Sequence, residues 1–281
     1  MIRQLVAALG ALACACAILG AAPVAKAQQQ SPPPAAGPAA GGGESDAALA
    51  QELANPISSL ISVPFQDNGE CCFGPNNGYR NTLNIQPVIP HALGPDLTLV
   101  VRTIVPVVWQ GDSAPVGGEH LGLGDTTQSF FFAPKLKGFI FGVGPAFLWP
   151  TGTGGFGSGH WGAGPTFVAL KQQGGLTYGL LFNHIWSFAG RENHDRISST
   201  FMQPFVAYNF PDTTSLGLNT ETSYDWVHDQ WTVPINLTIG HLFKFGPQRV
   251  QFQLGGKYYA ESAQGPQWGV RFTTTLLFPA K

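Results

Sequence analysis

Glu221 and Asp225 lie four residues apart in Leu218-Asn-Thr-Glu-Thr-Ser-Tyr-Asp-Trp226, and Asn219 and Ser223 share their two-residue spacing. In an extended chain these four polar groups occupy one face, and Leu218, Thr220, Thr222, Tyr224 and Trp226 the other. Two carboxylates on one confined face are costly unless they are solvated or paired. Arg102, Lys257 and Arg271 are the candidate partners, each on the polar side of its own alternating stretch. Two chemistries fit that set. One is a charged constriction that selects among passing solutes. The other is an ion-pair network that fills an interior and does nothing else.

Other reactive residues point to less. His184 and Ser187 are a histidine and a hydroxyl of the kind a lipid hydrolase needs, but a spacing of three puts them on opposite faces of a strand. No G-x-S-x-G motif accompanies them. His194-Asp195 and His228-Asp229 are short pairs of the sort that end in solvated turns, though an enzyme could place catalytic groups there. Cys71 and Cys72 are adjacent, and consecutive Cα atoms are closer than a relaxed disulfide prefers. The reading favoured here is a loop pair without chemistry. The sequence contains no phosphate loop, zinc spacing or dinucleotide fingerprint, so no cofactor and no metal site are expected and the chain does not read as an enzyme.

Only 11% of the 281 residues are charged, against roughly 25% in ordinary soluble domains. Gly 36, Phe 20 and Trp 7 are high, yet mean hydropathy is only +0.06 because apolar positions alternate with polar ones. Such a chain suits a wall with lipid on one side and water on the other. Met1-Ile-Arg3 followed by an apolar run to Ala22 and then Ala25-Lys-Ala27 has the form of a cleaved secretory signal, residues 1–27. Cys14 and Cys16 would leave with it. The remainder carries 12 basic and 16 acidic residues, a net charge of −4, with no basic stripe, so nucleic acid is not an expected partner.

Residues 28–45 are a low-complexity Pro/Gly/Ala linker. Residues 46–59 predict a short amphipathic helical segment: Asp46 is a possible cap, and Asn55-Pro56 reads as a second helix start. It fits a plug inside a barrel or a periplasmic stub. From residue 60 to 281 the pattern is repeated strand, with twelve stretches at 60–66, 79–90, 96–109, 123–134, 138–150, 160–171, 176–188, 199–210, 214–227, 230–243, 248–260 and 267–278. Most are near the ~9–11 residues that a tilted strand needs to cross a bilayer.

Connections alternate in length. Short turns fall near 91–95, 135–137, 172–175, 211–213 and 244–247, and mostly longer ones near 67–78, 111–122, 151–159, 189–198 and 261–266; only the one at 228–229 is too short. An outer-membrane barrel with an even strand number predicts that parity, and a secreted sandwich does not. The expected fold is therefore all-β: an antiparallel transmembrane β-barrel of about twelve strands with a short N-terminal helix. Pro87, Pro106, Pro145, Pro165, Pro204 and Pro234 fall inside proposed strands, where each removes a ladder hydrogen bond. The near-repeat Phe141-Gly-Val-Gly-Pro-Ala-Phe147 and Trp161-Gly-Ala-Gly-Pro-Thr-Phe167 suggests bulges or kinks there. In the last strand Trp268, Val270, Phe272, Thr274, Leu276 and Phe278 share a face, with Gly269, Arg271, Thr273 and Thr275 opposite.

Several phrases resemble a bacterial outer-membrane family. They include Glu52-Leu-Ala-Asn-Pro-Ile-Ser-Ser-Leu-Ile-Ser-Val-Pro-Phe-Gln66, Asn84-Ile-Gln-Pro-Val-Ile-Pro90, Arg102-Thr-Ile-Val-Pro106, Gly122-Leu-Gly-Asp-Thr-Thr-Gln-Ser-Phe-Phe-Phe132, Lys171-Gln-Gln-Gly-Gly175, Asn183-His-Ile-Trp-Ser-Phe188, Tyr224-Asp-Trp226 and Gln230-Trp-Thr-Val-Pro234. The family is the one labelled for the meta-pathway of phenol degradation and often called simply a transporter, and the resemblance runs from about residue 49 to the C-terminus. It implies an outer-membrane barrel passing small apolar or aromatic molecules, with the barrel-assembly machinery and outer-membrane lipid as partners. Phe272 and Phe278 would then belong to the terminal assembly signal. It supplies no catalytic or binding residues. The functional expectation is a passive channel. The alternatives are a structural or surface-interaction barrel with a filled lumen, and an outer-membrane enzyme using loop His/Asp groups.

Overall fold

A computed structural model describes residues 45–281, apart from 74–76, 112–118, 193–194, 264 and 279–281. The expected signal, residues 28–44 of the expected linker, and His194 lie outside the described residues.

Fifteen strand segments build one closed antiparallel sheet. They are β1 (Ile61–Phe73), β2 (Gly78–Ile85), β3 (Val88–Ala92), β4 (Leu97–Gly111), β5 (Glu119–Leu123), β6 (Thr126–Pro134), β7 (Ile140–Trp149), β8 (His160–Gln173), β9 (Leu176–Gly190), β10 (Ser198–Asn209), β11 (Thr214–Thr220), β12 (Thr222–Asp225), β13 (Gln230–Phe245), β14 (Gln248–Ser262) and β15 (Trp268–Phe278). β2 with β3, β5 with β6, and β11 with β12 are each one broken stave, so the barrel has twelve. It closes where β15 pairs with β1, from Ile61 opposite Phe278 to Cys71 opposite Trp268.

Prolines explain the breaks. The register of β11 and β12 against β13 runs from Thr220 opposite Ile235 to Ser223 opposite Thr232 without a shift, which sets Glu221 against Pro234. Pro234 has no N–H to give, and the ladder lapses there. The pairing of β13 with β14 also shifts register between Val233 and Pro234. Pro106 faces the slip between β5 and β6, where Gly124 donates to its carbonyl at 2.9 Å. The Gly-Pro repeat shows the expected irregularity only in its second copy, where β8 shifts register against β9 between Trp161 and Gly162. Pro145 stands directly opposite Pro165, and both outer ladders skip the Gly-Pro steps without changing register. A side chain at Gly144 or Gly164 would collide with the carbonyl of Phe130 or His184, so glycine permits this close approach. Pro204 lies in an unshifted ladder, opposite Leu180.

Alternation decides the faces. On β13, Ile235, Leu237 and Ile239 are outward and exposed, while Asn236 is 1% exposed. All seven tryptophans lie at or near the stave ends that carry the longer connections: 109, 149, 161, 186, 226, 231 and 268. Tyr178, Tyr208, Phe210, Phe243 and Phe245 lie exposed at the opposite end. Trp231 and Phe243 are twelve residues apart on β13. At ~3.3 Å per residue and a tilt near 40° they are separated by about 30 Å, the spacing of two interfacial girdles.

Helix α1 (Asp46–Leu53) starts at Ser45, whose Oγ accepts from the Ala48 N–H at 3.2 Å. Asp46 is therefore not the cap; its carboxylate instead takes Arg249 at 2.7 Å. Asn55-Pro56 does not start a second helix. Asn55 Oδ1 accepts from the Ile57 N–H at 3.0 Å and closes a turn. Ala50 and Leu60 pack with Leu242 and Leu277. Ile57 packs with Val88, Val100, Phe131, Ala133, Val168, Leu170 and Leu181, all on the inner wall. Gln172 Nε2 donates to the Gln51 carbonyl at 2.8 Å. These contacts put the segment inside the short-turn end of the barrel. Keeping each large apolar side chain of that cluster from lumen water contributes about 1.5–3 kcal/mol.

Candidate functional site

The lumen between the helix and the tryptophan end holds a bonded polar network. Arg271 on β15 grips Glu221 with two nitrogens, Nη1 at 2.9 Å and Nη2 at 2.7 Å. Its Nε donates to Asn68 Oδ1 at 2.8 Å. A forked guanidinium meeting a carboxylate in this way is among the stronger polar contacts a protein makes. Lys257 on β14 lies 2.9 Å from Glu70 and 3.9 Å from Glu221, joining the two pairs. Tyr259 donates its hydroxyl to the same Glu70 oxygen. Arg271 and Lys257 are each only 7% exposed at the side chain, so the network screens its charges internally.

The break between β11 and β12 serves this site, because it falls at Glu221 itself. Strand parity turns Glu221 inward, and the lapse opposite Pro234 comes at the residue whose carboxylate reaches across to β15. The break between β2 and β3 does the same for Gln86, whose Oε1 accepts from Arg102 Nη2 at 2.9 Å. Asn219 accepts from Asn236 Nδ2 at 2.8 Å. Below the network lies a cavity of about 330 Å3 whose floor is Ala50, Leu53, Ala54 and Pro56. Gln66, Asn84, Gln203 and Gln253 give it polar walls; Ile104, Phe201 and Phe205 give it an apolar side.

Of the residues singled out in the sequence, Arg102, Asn219, Glu221, Lys257 and Arg271 all lie in this lumen. Ser223 is half-buried on β12 beyond Glu221. Asp225 lies apart from the network, at the far end of β12. Its carboxylate accepts from the Val227 and His228 N–H groups and pairs with His228 Nδ1 at 2.8 Å, and His228 Nε2 is 3.3 Å from Asp195. Those two carboxylates raise the pKa of His228 above its ordinary value. Parity tells which face a residue takes, not how high it stands. Phe272 and Phe278 are outward and exposed.

Glu70, Asn68, Tyr259 and Gln86 belong to the site but were not among the expected residues. The polar run after Phe65 reads as a loop, whereas β1 continues to Phe73. The missed signal was Gln66, Asn68 and Glu70 at a spacing of two. Cys71 and Cys72 are not a free pair: they are joined as a disulfide. Cys72 has a φ of 71° and is the extra residue where β1 shifts register against β2, a bulge conformation that extended-chain spacing does not anticipate. His184 and Ser187 do face apart. His184 turns outward to Thr200 Oγ1 at 2.7 Å, and Ser187 Oγ accepts from the Ile197 N–H at 2.9 Å.

No protein-family model and no curated protein sequence matches the chain. Among solved structures it is similar to an outer membrane channel from Pseudomonas putida F1, with a TM-score of 0.61 and 18% identity over 78% of this chain and 94% of that one. The NanC porin aligns at a TM-score of 0.49 and 10% identity, over 78% of this chain and all of that one. The KdgM porin, in complex with disordered oligogalacturonate, aligns at 0.44 and 11%, over 78% and 99%. The fold is that of an outer-membrane β-barrel.

Proposed function

We propose that this protein is exported to the outer membrane and serves there as a passive channel for small molecules with apolar or aromatic bodies. The cavity under the Glu221–Arg271 network carries the reading. It lies inside the barrel, between the helical segment and the polar network, and it is walled by amides on one side and by phenyl rings on the other. The Pseudomonas putida barrel of like fold is described as a channel. The likeness of the sequence to the phenol meta-pathway family favours aromatic cargo. Nothing in this function requires an enzyme or a cofactor.

The full hydrogen bonding of the Glu70–Lys257–Glu221–Arg271 network favours a second reading, a barrel whose lumen is closed and purely structural. Single-channel recording on purified protein in planar bilayers separates the two. A channel gives discrete, reproducible current steps, and a filled barrel gives none. Membrane placement is tested with tags. Those at 150–159 or 191–197 are expected to be reachable from outside intact cells, and those at 135–139 or 210–213 are not. Equal labelling at both sets rules out the orientation.

Assembly is proposed to run through the last strand, whose outward stripe ends at Phe278. Phe278→Asp is expected to lower the amount of folded protein in the outer membrane, read as the heat-dependent gel shift of an intact barrel. Undiminished membrane levels contradict that role.

A further inference from the structure

Among the described residues the cations of the lumen outnumber its carboxylates, and one of them, on the cavity wall, makes no salt bridge. Among the described residues of the network region, Lys257 is matched by Glu70 and Arg271 by Glu221. Arg80 is committed elsewhere, donating to Gln110 at 3.0 Å and lying 4.6 Å over the Phe73 ring. Arg102 has a single amide acceptor, Gln86, and among the described residues no carboxylate lies within 4 Å of it, although the charge of Glu221, itself held by Arg271, acts on it from further off. The charged side chains lining the cavity are Arg102, Glu221 and Arg271, and the last two cancel, which leaves one positive charge. A guanidinium presents five donors in a planar fork suited to a carboxylate. Most of that fork is uncommitted.

We propose that this cavity is a binding site for a small organic monocarboxylate, with Arg102 taking the carboxylate and Phe201, Phe205 and Ile104 taking the apolar body. The proposal rests on the channel reading and narrows its cargo. At about 30 Å3 per water, 330 Å3 holds roughly ten waters, or one ring with its carboxylate. A strongly hydrated inorganic anion gains little from the phenyl side. A neutral hydrocarbon leaves Arg102 with no carboxylate in contact, at the cost of desolvating it. A dianion has only one net positive charge to meet. Gln66, Asn84 and Gln203 add neutral donors around the head group and select for no particular body.

The test uses the folded full-length mature barrel in detergent, with benzoate as the probe and benzamide as its neutral match in shape. Equilibrium dialysis is expected to show saturable benzoate binding, with benzamide at least tenfold weaker. Arg102→Gln is expected to weaken benzoate about tenfold and leave benzamide unchanged, since a charge-assisted contact is lost while the apolar one remains. Phe205→Ala is expected to weaken both. The heat-dependent gel shift reports whether each variant is folded. If Arg102→Gln does not fold, the benzoate-to-benzamide ratio on the unaltered protein decides. Equal binding of the two probes, no saturable binding, or undiminished benzoate binding by folded Arg102→Gln each overturns the proposal. Benzoate binding in a barrel that passes no current supports the site and overturns the channel. Current without benzoate binding overturns the site alone.

Discussion

The two halves of the barrel interior are built on different physics. From β10 round through β15 to β2 the inner face is largely Gln203, Asn209, Ser215, Asn219, Asn236, Gln251, Lys257, Arg271, Asn68 and Asn84, polar and in or around the cavity, with Phe201, Phe205, Leu242 and Leu277 as its apolar members. From β4 to β9 it is largely Val100, Phe131, Ala133, Ala146, Val168, Leu170 and Leu181, packed tightly, with Ile57 of the N-terminal segment filling the space between. One half resembles the wall of a pore and the other resembles a protein core. A closed barrel of twelve staves is too wide to fill with its own side chains alone. Ile57, just after the helix, fills the dry side, while the helix itself packs on Leu242 and Leu277 and floors the cavity on the wet side. Arg102 stands near the boundary between them, one stave position from Val100 on the inner face of β4.

The strongest way to break this contrast is to put a charge in the dry half. Val168→Asp sets a carboxylate where exposure is 0%, among apolar neighbours and with no cation within the cluster. Little or no folded barrel is expected, read as loss of the heat-dependent gel shift. A stable Val168→Asp barrel means that water already reaches this face.

Removing a charge from the wet half sharpens the contrast. Glu221→Gln leaves Arg271 buried with neutral acceptors only and without its counter-charge, and is expected to cost about 3–5 kcal/mol in thermal or denaturant unfolding. It also shifts the lumen further positive, so any current through it becomes more anion-selective. Unchanged stability together with a large change in selectivity makes the network an open, wet filter rather than a bonded one.

The same contrast explains what the sequence made legible. Alternation is plain on β13 and β15, where polar interior residues sit between outward Ile, Leu and Phe, and the stave boundaries there follow the expected ones to within about two residues. On β7 and β8 it fades, because the inner face carries mostly Gly142, Gly144, Ala146, Gly162, Gly164 and Val168, with His160 and Thr166 as its polar members. The Gly-Pro repeat in that region therefore reads as a bulge signal; it marks two prolines meeting across one ladder, with a register shift beside the second copy alone, at Trp161 and Gly162. On β1 the failure is opposite: Asp67 and Gly69 on the outward face leave no apolar stripe, so the strand seems to end seven residues early and Glu70 goes unnoticed. Asp225 shares the spacing of Glu221 but stands at the 226–229 turn, since its depth depends on where the stave ends.

Smaller effects belong to the edges. Asp46→Ala removes the Arg249 ion pair that ties the helix to β14. Both partners are partly exposed, so the expected cost is no more than about 1 kcal/mol, with the readout being more frequent opening events in single-channel records. An unchanged opening rate shows that apolar packing alone holds the helix. At the tryptophan end, the folded pKa of His228 is raised by Asp225 and Asp195. A raised value means that the stabilisation is present below the ordinary histidine pKa and is lost as pH rises through the folded one. Proteolysis within the exposed 226–229 turn is expected to become slightly faster from pH 6 to pH 8, and His228→Gln is expected to abolish that dependence.

The central claim is that solutes move along one half of the interior. The two cysteines among the described residues are joined as Cys71–Cys72, so an introduced thiol stands alone there. Gln253→Cys places one on the wet side, on the cavity wall, and Leu181→Cys places one on the dry side, in the apolar cluster. A charged, water-soluble methanethiosulfonate is added during single-channel recording. The account predicts a stepwise fall in current for Gln253→Cys and none for Leu181→Cys. Block of both at similar rates, or no current through either, contradicts it.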